Sequence, residues 1–203
     1  MGIPATAMIL PGLENSLEID ISGLKYIPDY ISAEQHDALI TQIDAQLWNN
    51  ELKRRVQHYG YRYDYKARMV HDTSYLGPLP DWLASFARRL YADGIFPNFP
   101  DQVIVNEYEP GQGISAHIDC TPCFGDTIAS LSLGSSCVMQ LTHPASSQRE
   151  DISLYPRSLI ILSGNARYQW THAIPARKSD TINGIKHPRT RRVSLTFRMM
   201  VKS

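Results

Sequence analysis

The sequence predicts an α+β domain whose core is a two-sheet β-sandwich, with a jelly roll as one candidate. Two amphipathic helical patterns lie in the first half of the chain, and short apolar or alternating runs, separated by Gly, Pro and Ser, follow from Asp101 onward. The chain has 203 residues, of which 43% are hydrophobic, and this is a usual size for one domain. We therefore predict one domain over residues 1–203, divided at about residue 100 into an N-terminal part and a sheet-rich core.

Both helices have recognisable start or stop signals. Ser32, with Gln35 three residues later, forms a capping-box pattern at the beginning of a helix predicted within residues 30–50. Its apolar stripe consists of His36, Leu39, Ile40, Ile43 and Leu47. The second helix is predicted from about residue 81 to 93, with Gly94 as the stop signal. Its buried stripe consists of Trp82, Leu83, Phe86 and Leu90.

Five short runs in the second half of the chain predict strands. These runs are residues 103–108, 127–133, 138–141, 158–162 and 193–201. Many short strands after leading helices are typical of a sandwich or jelly roll.

Charge, hydropathy and cysteine content argue against a strongly basic nucleic-acid binder, a membrane-spanning protein and a disulfide-rich protein. The 20 basic and 20 acidic residues cancel, so any nucleic-acid partner would have to be held by local patches. Residues 1–13 carry no basic leader pattern, and no run of eighteen apolar residues occurs. We expect a soluble, cytoplasmic protein without a membrane partner. The three cysteines, Cys120, Cys123 and Cys137, form no even framework and are predicted to be buried or incidental thiols.

A possible metal site begins at His117 and Asp119, which lie two residues apart. If residues 116–120 are extended, both side chains project from one face, and His172 could supply a third ligand. Two imidazoles and one carboxylate form the facial triad of non-haem iron(II) oxygenases. A His-x-Asp pair alone is more often a solvated structural pair, so other residues must decide.

A second polar row lies on the last predicted strand, where polar residues alternate with apolar ones. The row consists of Arg192, Ser194, Thr196 and Arg198. Two arginines about 20 Å apart along a strand could reach inward and straddle a short dicarboxylate. Asn106 and Tyr108 repeat the same-face pattern and could hydrogen-bond its carboxylates. The alternative is an ordinary strand with a polar outer face.

With these residues assembled, the chain resembles the AlkB family of Fe(II)/2-oxoglutarate-dependent dioxygenases, which demethylate nucleic acids oxidatively. The segments that carry the resemblance are NEYEPGQGISAHID (106–119), SLSLGSS (130–136), LYPRSLIILSGNARYQWTHAI (154–174) and RRVSLTFR (191–198). They cover most of residues 101–201. Over residues 106–174 the motif is most similar to the tRNA-modifying branch of the family.

The resemblance implies a fold, a cofactor and a set of site residues. The fold is a double-stranded β-helix, or jelly roll, with an N-terminal extension that covers a nucleotide site. The metal ligands for Fe(II) are His117, Asp119 and His172. The 2-oxoglutarate site consists of Asn106, Tyr108, Arg192, Ser194 and Arg198. No protein residue beyond the metal ligands acts in catalysis.

The segment 53–68, which we call the lid segment, interleaves basic residues with tyrosines at alternate positions. This mixture suits phosphate contacts and base stacking, so we predict a nucleotide lid with Tyr61 and Tyr63 as substrate contacts. The alternative is that the tyrosines form one packed face of a strand.

The predicted activity is oxidative dealkylation of an N-methylated base in DNA or RNA, with O2 as co-substrate, by a monomer. Thr121 stands where repair members of the family have an acidic residue, and Ser194 replaces an asparagine of those members. Hydroxylation of a modified tRNA wobble uridine therefore remains an alternative. Hydroxylation or demethylation of a protein or small molecule, and a non-catalytic binding module, also remain open.

Overall fold

The structure is a computed structural model that describes residues 20–65, 67, 69–70 and 74–201. The N-terminal stretch 1–13, examined above for a leader, and two basic residues of the lid segment, Lys66 and Arg68, lie outside the described residues. No helix in the part described has the length and apolar character needed to cross a membrane.

The described strands form two antiparallel sheets and one hairpin. In chain order they are β1 (Leu24–Ile27), β2 (Val56–Tyr59), β3 (Gln102–Tyr108), β4 (Ile114–His117), β5 (Phe124–Gly134), β6 (Cys137–Thr142), β7 (Arg149–Leu154), β8 (Leu159–Leu162), β9 (Thr171–Ile174), β10 (Ser179–Ile182), β11 (Ile185–Pro188) and β12 (Arg192–Met200). The larger sheet has the order β1-β8-β5-β12-β3-β2, and the smaller has the order β4-β9-β6-β7. The hairpin pairs β10 with β11. All five predicted strands are present, and β1 and β2 from the first half add the two edges of the larger sheet.

The two predicted helices are confirmed, with one boundary corrected. Helix α1 (Ala33–Asp44) begins with the capping box of Ser32 and Gln35. It ends at Asp44, and Leu47, predicted to continue its buried stripe, is 95% exposed. The chain turns there because the backbone of Asn49 pairs with that of Val56. Helix α2 (Asp81–Ala92) matches its prediction, and a third, short helix is α3 (Gly164–Tyr168).

The larger sheet separates an apolar core from a polar interior. Val193, Leu195 and Phe197 of β12 pack in one core cluster with residues of α1 and α2, such as Ile43 and Leu83. The alternating residues of β12, which are Arg192, Ser194, Thr196 and Arg198, are buried on the opposite side of the strand. The alternative of a solvated polar face is therefore wrong, because this face is turned toward the smaller sheet.

The cysteine prediction is also corrected. Cys120 and Cys123 form a disulfide, whereas Cys137 is a buried free thiol, as predicted. A tight turn, in which the amide of Cys123 donates to the carbonyl of Cys120, brings their Cα atoms to 5.3 Å. That separation lies within the range of a disulfide, and sequence spacing alone does not reveal it.

Candidate active site

Strand pairing brings the two candidate histidine ligands together. His117, the last residue of β4, lies directly opposite His172 of β9, and their ring centroids are 4.3 Å apart. The Nδ1 atom of His117 lies 2.7 Å from the carbonyl oxygen of Ser115 and can donate a hydrogen bond to it. That bond fixes the ring and leaves Nε2 as the nitrogen available to a ligand, as is common for metal-binding histidines.

Asp119 reaches the same place from a turn. β4 ends at His117, so the extended segment predicted for residues 116–120 stops short of Asp119. Its buried carboxylate accepts a hydrogen bond at Oδ1 from Arg198 Nη2, at 2.7 Å. The other oxygen, Oδ2, lies 3.7 Å from His172 Nε2. This distance is too long for a hydrogen bond. Two ligands at right angles on one ion lie roughly 3 Å apart when each metal bond is about 2.1 Å, so an ion at this place would have to draw the two groups closer together.

The donor set fits an iron(II) ion in type and in placement on one cavity. Two imidazoles and one carboxylate line the same space, which is the ligand chemistry of non-haem iron. In the present arrangement, no three His, Cys, Asp or Glu side chains of the described residues are close enough together to hold an ion. The assignment of His117, Asp119 and His172 as ligands is therefore carried forward as part of the proposal below.

The protonation states of Asp119 and His172 suit a metal ion. Burial raises the pKa of Asp119, but Arg198 and the two histidines outweigh burial, and the net pKa lies well below its ordinary value. Burial, with a smaller contribution from His117, lowers the pKa of His172 to about 4. At neutral pH the carboxylate is ionised and this imidazole is neutral, and these are the forms that bind metals.

At the other end of β12, Arg192 is a buried cation with unused donors. It is 3% exposed, and its Nη2 donates to the hydroxyl of Ser132 at 3.0 Å. Its Nε and Nη1 atoms have no hydrogen-bond partner among the described residues. The guanidinium lies 5.4 Å from the ring centre of Tyr108, its register partner on β3. Because an unpaired buried charge is costly, this environment fits a ligand carboxylate.

Arg198 has a different environment from Arg192. Besides Asp119, it donates to Gln102 Oε1 at 3.2 Å, and only its Nε lacks a partner within the described residues. Sequence reasoning placed both arginines around one dicarboxylate. It did not foresee the Arg198 to Asp119 ion pair, which depends on the path of the turn after β4.

The cavity between the sheets has a volume of about 620 Å³, and residues of the lid segment form part of its lining. Tyr63 of the lid segment lines it, as do Asn106, Ser194 and the other predicted site residues of β3 and β12. Tyr61 does not line it, and its ring instead packs against Tyr75 with centroids 5.0 Å apart.

Three lid residues that were not predicted as site residues also line the cavity, Lys53, Arg54 and Tyr65. Arg54 Nε donates to Asn106 Oδ1 at 3.0 Å, and its guanidinium lies 5.6 Å from the centre of the Tyr65 ring. The alternation of basic and aromatic residues predicted that the lid segment takes part in the site, but it did not indicate which of its side chains line the cavity.

A two-sheet sandwich whose cavity is lined by two histidines, one aspartate and a buried arginine with unused donors is typical of the iron-dependent and 2-oxo-acid-dependent oxygenases. The chain belongs to the 2OG-Fe(II) oxygenase superfamily, whose family model matches residues 23–198. Members of this family are oxidoreductases that use Fe(II) and 2-oxoglutarate.

The relatives confirm the AlkB resemblance. The "Alkylated DNA repair protein ALKBH8 homolog" of Arabidopsis thaliana is 38% identical, over 89% of this chain and 59% of its own length. "Uncharacterized protein L905" of Acanthamoeba polyphaga mimivirus is 36% identical, over 90% of this chain and 87% of its own length. The "tRNA (carboxymethyluridine(34)-5-O)-methyltransferase alkbh8" of Xenopus tropicalis is 40% identical, over 79% of this chain but 26% of its own length. The chain thus spans about three fifths of the first relative and about a quarter of the third.

A comparison with solved structures agrees on the fold. "The structure of OsALKBH1" superposes with a TM-score of 0.69 and 16% identity, and it covers 91% of this chain and 99% of that chain. At this identity the likeness shows the fold alone, and it confirms the jelly roll.

Proposed function

We propose that this protein oxidises a C–H bond of a modified base in nucleic acid, and that its principal reaction is oxidative dealkylation of an N-methylated base in DNA or RNA. The observation that carries the proposal is the lining of one cavity. It contains the iron-type donors, Arg198 beside them, and Arg192 farther along β12 with donors that have no partner among the described residues. The lid segment contributes aromatic rings and a cation to the same cavity.

His117, Asp119 and His172 would hold the iron. Arg192 would receive one carboxylate of 2-oxoglutarate, with Tyr108 beside it. When bound, the iron with 2-oxoglutarate and dioxygen supplies the oxidation of a substrate C–H bond and yields succinate and carbon dioxide. If that carbon is an N-methyl group, the hydroxylated product loses formaldehyde.

The remaining predicted cofactor residues surround this position. Ser194 is the register partner of Asn106, so both lie on the cavity side of the larger sheet. Arg198 keeps Asp119 ionised and correctly turned. The contribution of the chain is to orient the ligands and the dicarboxylate and to exclude water from the space between the sheets.

The lid segment supplies the substrate side. Tyr63 and Tyr65 offer ring faces on which a base can stack, and Arg54 offers a cation for a phosphate or a polar base edge. We therefore propose Tyr63 and Tyr65 as the stacking residues. The structure gives Tyr61 no position on the cavity, so we assign its role to packing against Tyr75.

A second candidate is hydroxylation of a modified wobble uridine in tRNA. It is supported by the 40% identity to the Xenopus relative whose name specifies a carboxymethyluridine of tRNA. It is also supported by Thr121, a neutral residue in the turn after Asp119, where an acidic reader of an adenine or cytosine amino group would be expected. A protein or small-molecule substrate is the remaining alternative. A monomeric state and a cytoplasmic location complete the proposal and can be tested by light scattering and cell fractionation.

The test is an anaerobic reconstitution of the protein with Fe(II), followed by addition of 2-oxoglutarate and O2. Methylated DNA and RNA oligonucleotides and tRNA would be supplied in parallel, with succinate and formaldehyde measured together and with His117→Ala as the inactive control. Formaldehyde equal to succinate on one oligonucleotide supports dealkylation. Succinate with an oxygenated tRNA and no formaldehyde supports the second candidate. Succinate formation that no nucleic acid stimulates would overturn both candidates.

A further inference from the structure

Arg167 is the largest fully buried side chain in the described part of the protein, at 2% exposure. It lies in α3, and its guanidinium donates to three backbone carbonyls, two in the turn after β4 and one at the beginning of β5. Nη1 donates to Asp119 O at 2.9 Å, Nη2 to Cys120 O at 3.2 Å and Nε to Gly125 O at 3.4 Å. The turn that carries the carboxylate ligand is thus held by a buried cation from another element.

The position of α3 makes this contact a link between two ligand segments. His172 follows Arg167 by five residues, at the beginning of the strand that pairs with His117. α3 is fixed in turn to the edge of the larger sheet, because the amide of Ala166 donates to Ser22 O at 3.0 Å. One side chain therefore connects the turn of Asp119 to the segment leading to His172.

The energetics indicate that this arrangement serves more than packing. No ion pair to Arg167 occurs among the described residues, so its buried charge is balanced by backbone dipoles, by the ring of Tyr168 at 5.0 Å and by the general field of Asp119. An apolar side chain of similar volume would fill this space without the cost of burying a charge. It would, however, leave the carbonyl of Asp119 without this donor and would remove the hydrogen bonds that join the turn to α3.

We propose that Arg167 is a positioning residue for the metal site. By fixing the backbone at Asp119 and Cys120, it sets where the Asp119 carboxylate lies relative to His172, while Arg198 sets how that carboxylate is turned. The Cys120–Cys123 disulfide closes the same turn covalently but makes no connection to the His172 segment. This inference rests on the ligand set of the proposed function and not on the identity of the substrate.

The test compares Arg167→Lys and Arg167→Met with Arg89→Lys. Arg89 is the control because it also donates to a backbone carbonyl, Tyr30 O, and lies over a tyrosine ring, at 4.2 Å, whereas its partners, Tyr30 and Asp93, lie outside the segments of the proposed metal ligands. The probe is Mn(II), which accepts nitrogen and oxygen ligands and is stable in air. Its Kd would be measured by calorimetry with 2-oxoglutarate present, and thermal unfolding of each metal-free protein would be followed in parallel.

We expect Arg167→Lys to raise the Kd of Mn(II) by about tenfold or more, the usual effect of losing a residue that orients a ligand. Arg89→Lys should leave the Kd of Mn(II) unchanged, even if the Tm of this metal-free variant falls as much as that of Arg167→Lys. An unchanged Kd in Arg167→Lys, or an equal rise in both variants, would overturn the inference. If Arg167→Met does not fold, Arg167→Lys, which keeps the charge, still decides the question.

The outcome is separable from that of the proposed function. Wild-type protein that binds Mn(II) through His117 but oxidises no nucleic acid would remove the substrate proposal and leave the role of Arg167 standing. Wild-type protein that binds no Mn(II) would overturn both the ligand set and this inference.

Discussion

The two sides of the cavity are built in different ways. On one side, β3 and β12 pair without a break from Arg192 opposite Tyr108 to Arg198 opposite Gln102, and almost every residue of both strands is buried. On the other side, the lid segment contains β2, which pairs with β3, but its part after β2 is tied down by isolated bridges, such as Tyr61 to Tyr75. We infer that the continuous ladder holds the cofactor, whereas the loosely tied segment selects the substrate. The predictions below test this division of labour.

The largest effect is expected at the proposed metal site, in His117→Ala of β4. Succinate formation should fall to background because one of three ligands is lost, and the far-ultraviolet circular dichroism should not change. His117 is only partly buried, so its removal leaves no unpaired charge in the interior. Asp119→Ala should be equally inactive but also less stable, because it leaves Arg198 buried without its carboxylate. Wild-type turnover in His117→Ala would remove this residue from the ligand set.

The next effect is expected at the dicarboxylate end, in Arg192→Lys. A lysine cannot replace the planar fork of an arginine, so we expect a loss of about 2 kcal/mol, or roughly a 30-fold higher KM for 2-oxoglutarate. The KM for nucleic acid should stay near its wild-type value. Arg157→Lys, at a surface arginine paired with Asp29, is the control and should change neither constant. A higher KM for the nucleic acid alone would contradict the assignment of Arg192.

A smaller effect is expected on the lid side, in Tyr63→Ala and Tyr65→Ala. Loss of one stacking ring should raise the KM for the nucleic-acid substrate about tenfold, since base stacking on an aromatic residue contributes about 1–3 kcal/mol. The KM for 2-oxoglutarate should not change. Tyr61→Ala is the matched control, because this ring contacts Tyr75 outside the cavity. An equally large rise in the KM for nucleic acid in Tyr61→Ala would contradict the assignment of Tyr63 and Tyr65 as the stacking residues.

The contrast between the regular strands and the irregular segments also explains which features could be predicted from the sequence. Because successive residues of a strand point to opposite faces, the alternating pattern along residues 192–199 placed Arg192 and Arg198 on one face and Val193 and Leu195 on the other. Both faces are buried, the first toward the cavity and the second in the apolar core. His117 and His172 could be selected because their residue types and the family motif agree. For regular elements, the pattern of side chains is set by backbone geometry, and the sequence displays it directly.

The wrong predictions concern segments in which no repeating pattern of apolar and polar residues is present. The end of α1 before Leu47 and the disulfide of Cys120 with Cys123 both depend on the path of irregular backbone. The same path decides which tyrosines of the lid segment line the cavity. That path is decided by particular tertiary hydrogen bonds, such as those between Asn49 and Val56, and not by local preference. Arg167 was missed for the same reason, since its partners are carbonyls far away in the sequence.

The smallest effect on turnover is expected where the two sides are joined, at Glu107. This carboxylate is buried on the face of β3 away from the cavity and accepts hydrogen bonds from Arg55 of the lid segment and from Arg191. Glu107→Gln should lower the free energy of unfolding by about 2 kcal/mol at pH 7, because the charge-assisted hydrogen bonds from two arginines, Arg55 and Arg191, are weakened. Turnover at saturating substrate should change less than twofold, since no atom of this network lines the metal end of the cavity.

The pH dependence of stability separates this role from simple packing. Burial raises the pKa of Glu107, but the hydrogen bonds from Arg55 and Arg191 outweigh burial and hold the pKa below its ordinary value. The stabilisation is therefore present above the unfolded-state pKa of about 4.3 and is lost as the pH falls below it. Urea unfolding midpoints measured from pH 6 to pH 3 should fall less steeply in Glu107→Gln than in the wild type. Glu51→Gln, at an exposed carboxylate paired with Arg62, should keep the wild-type slope. Parallel curves for Glu107→Gln and wild type would mean that the ion pairs of Glu107 do not tie the lid segment to the ladder side.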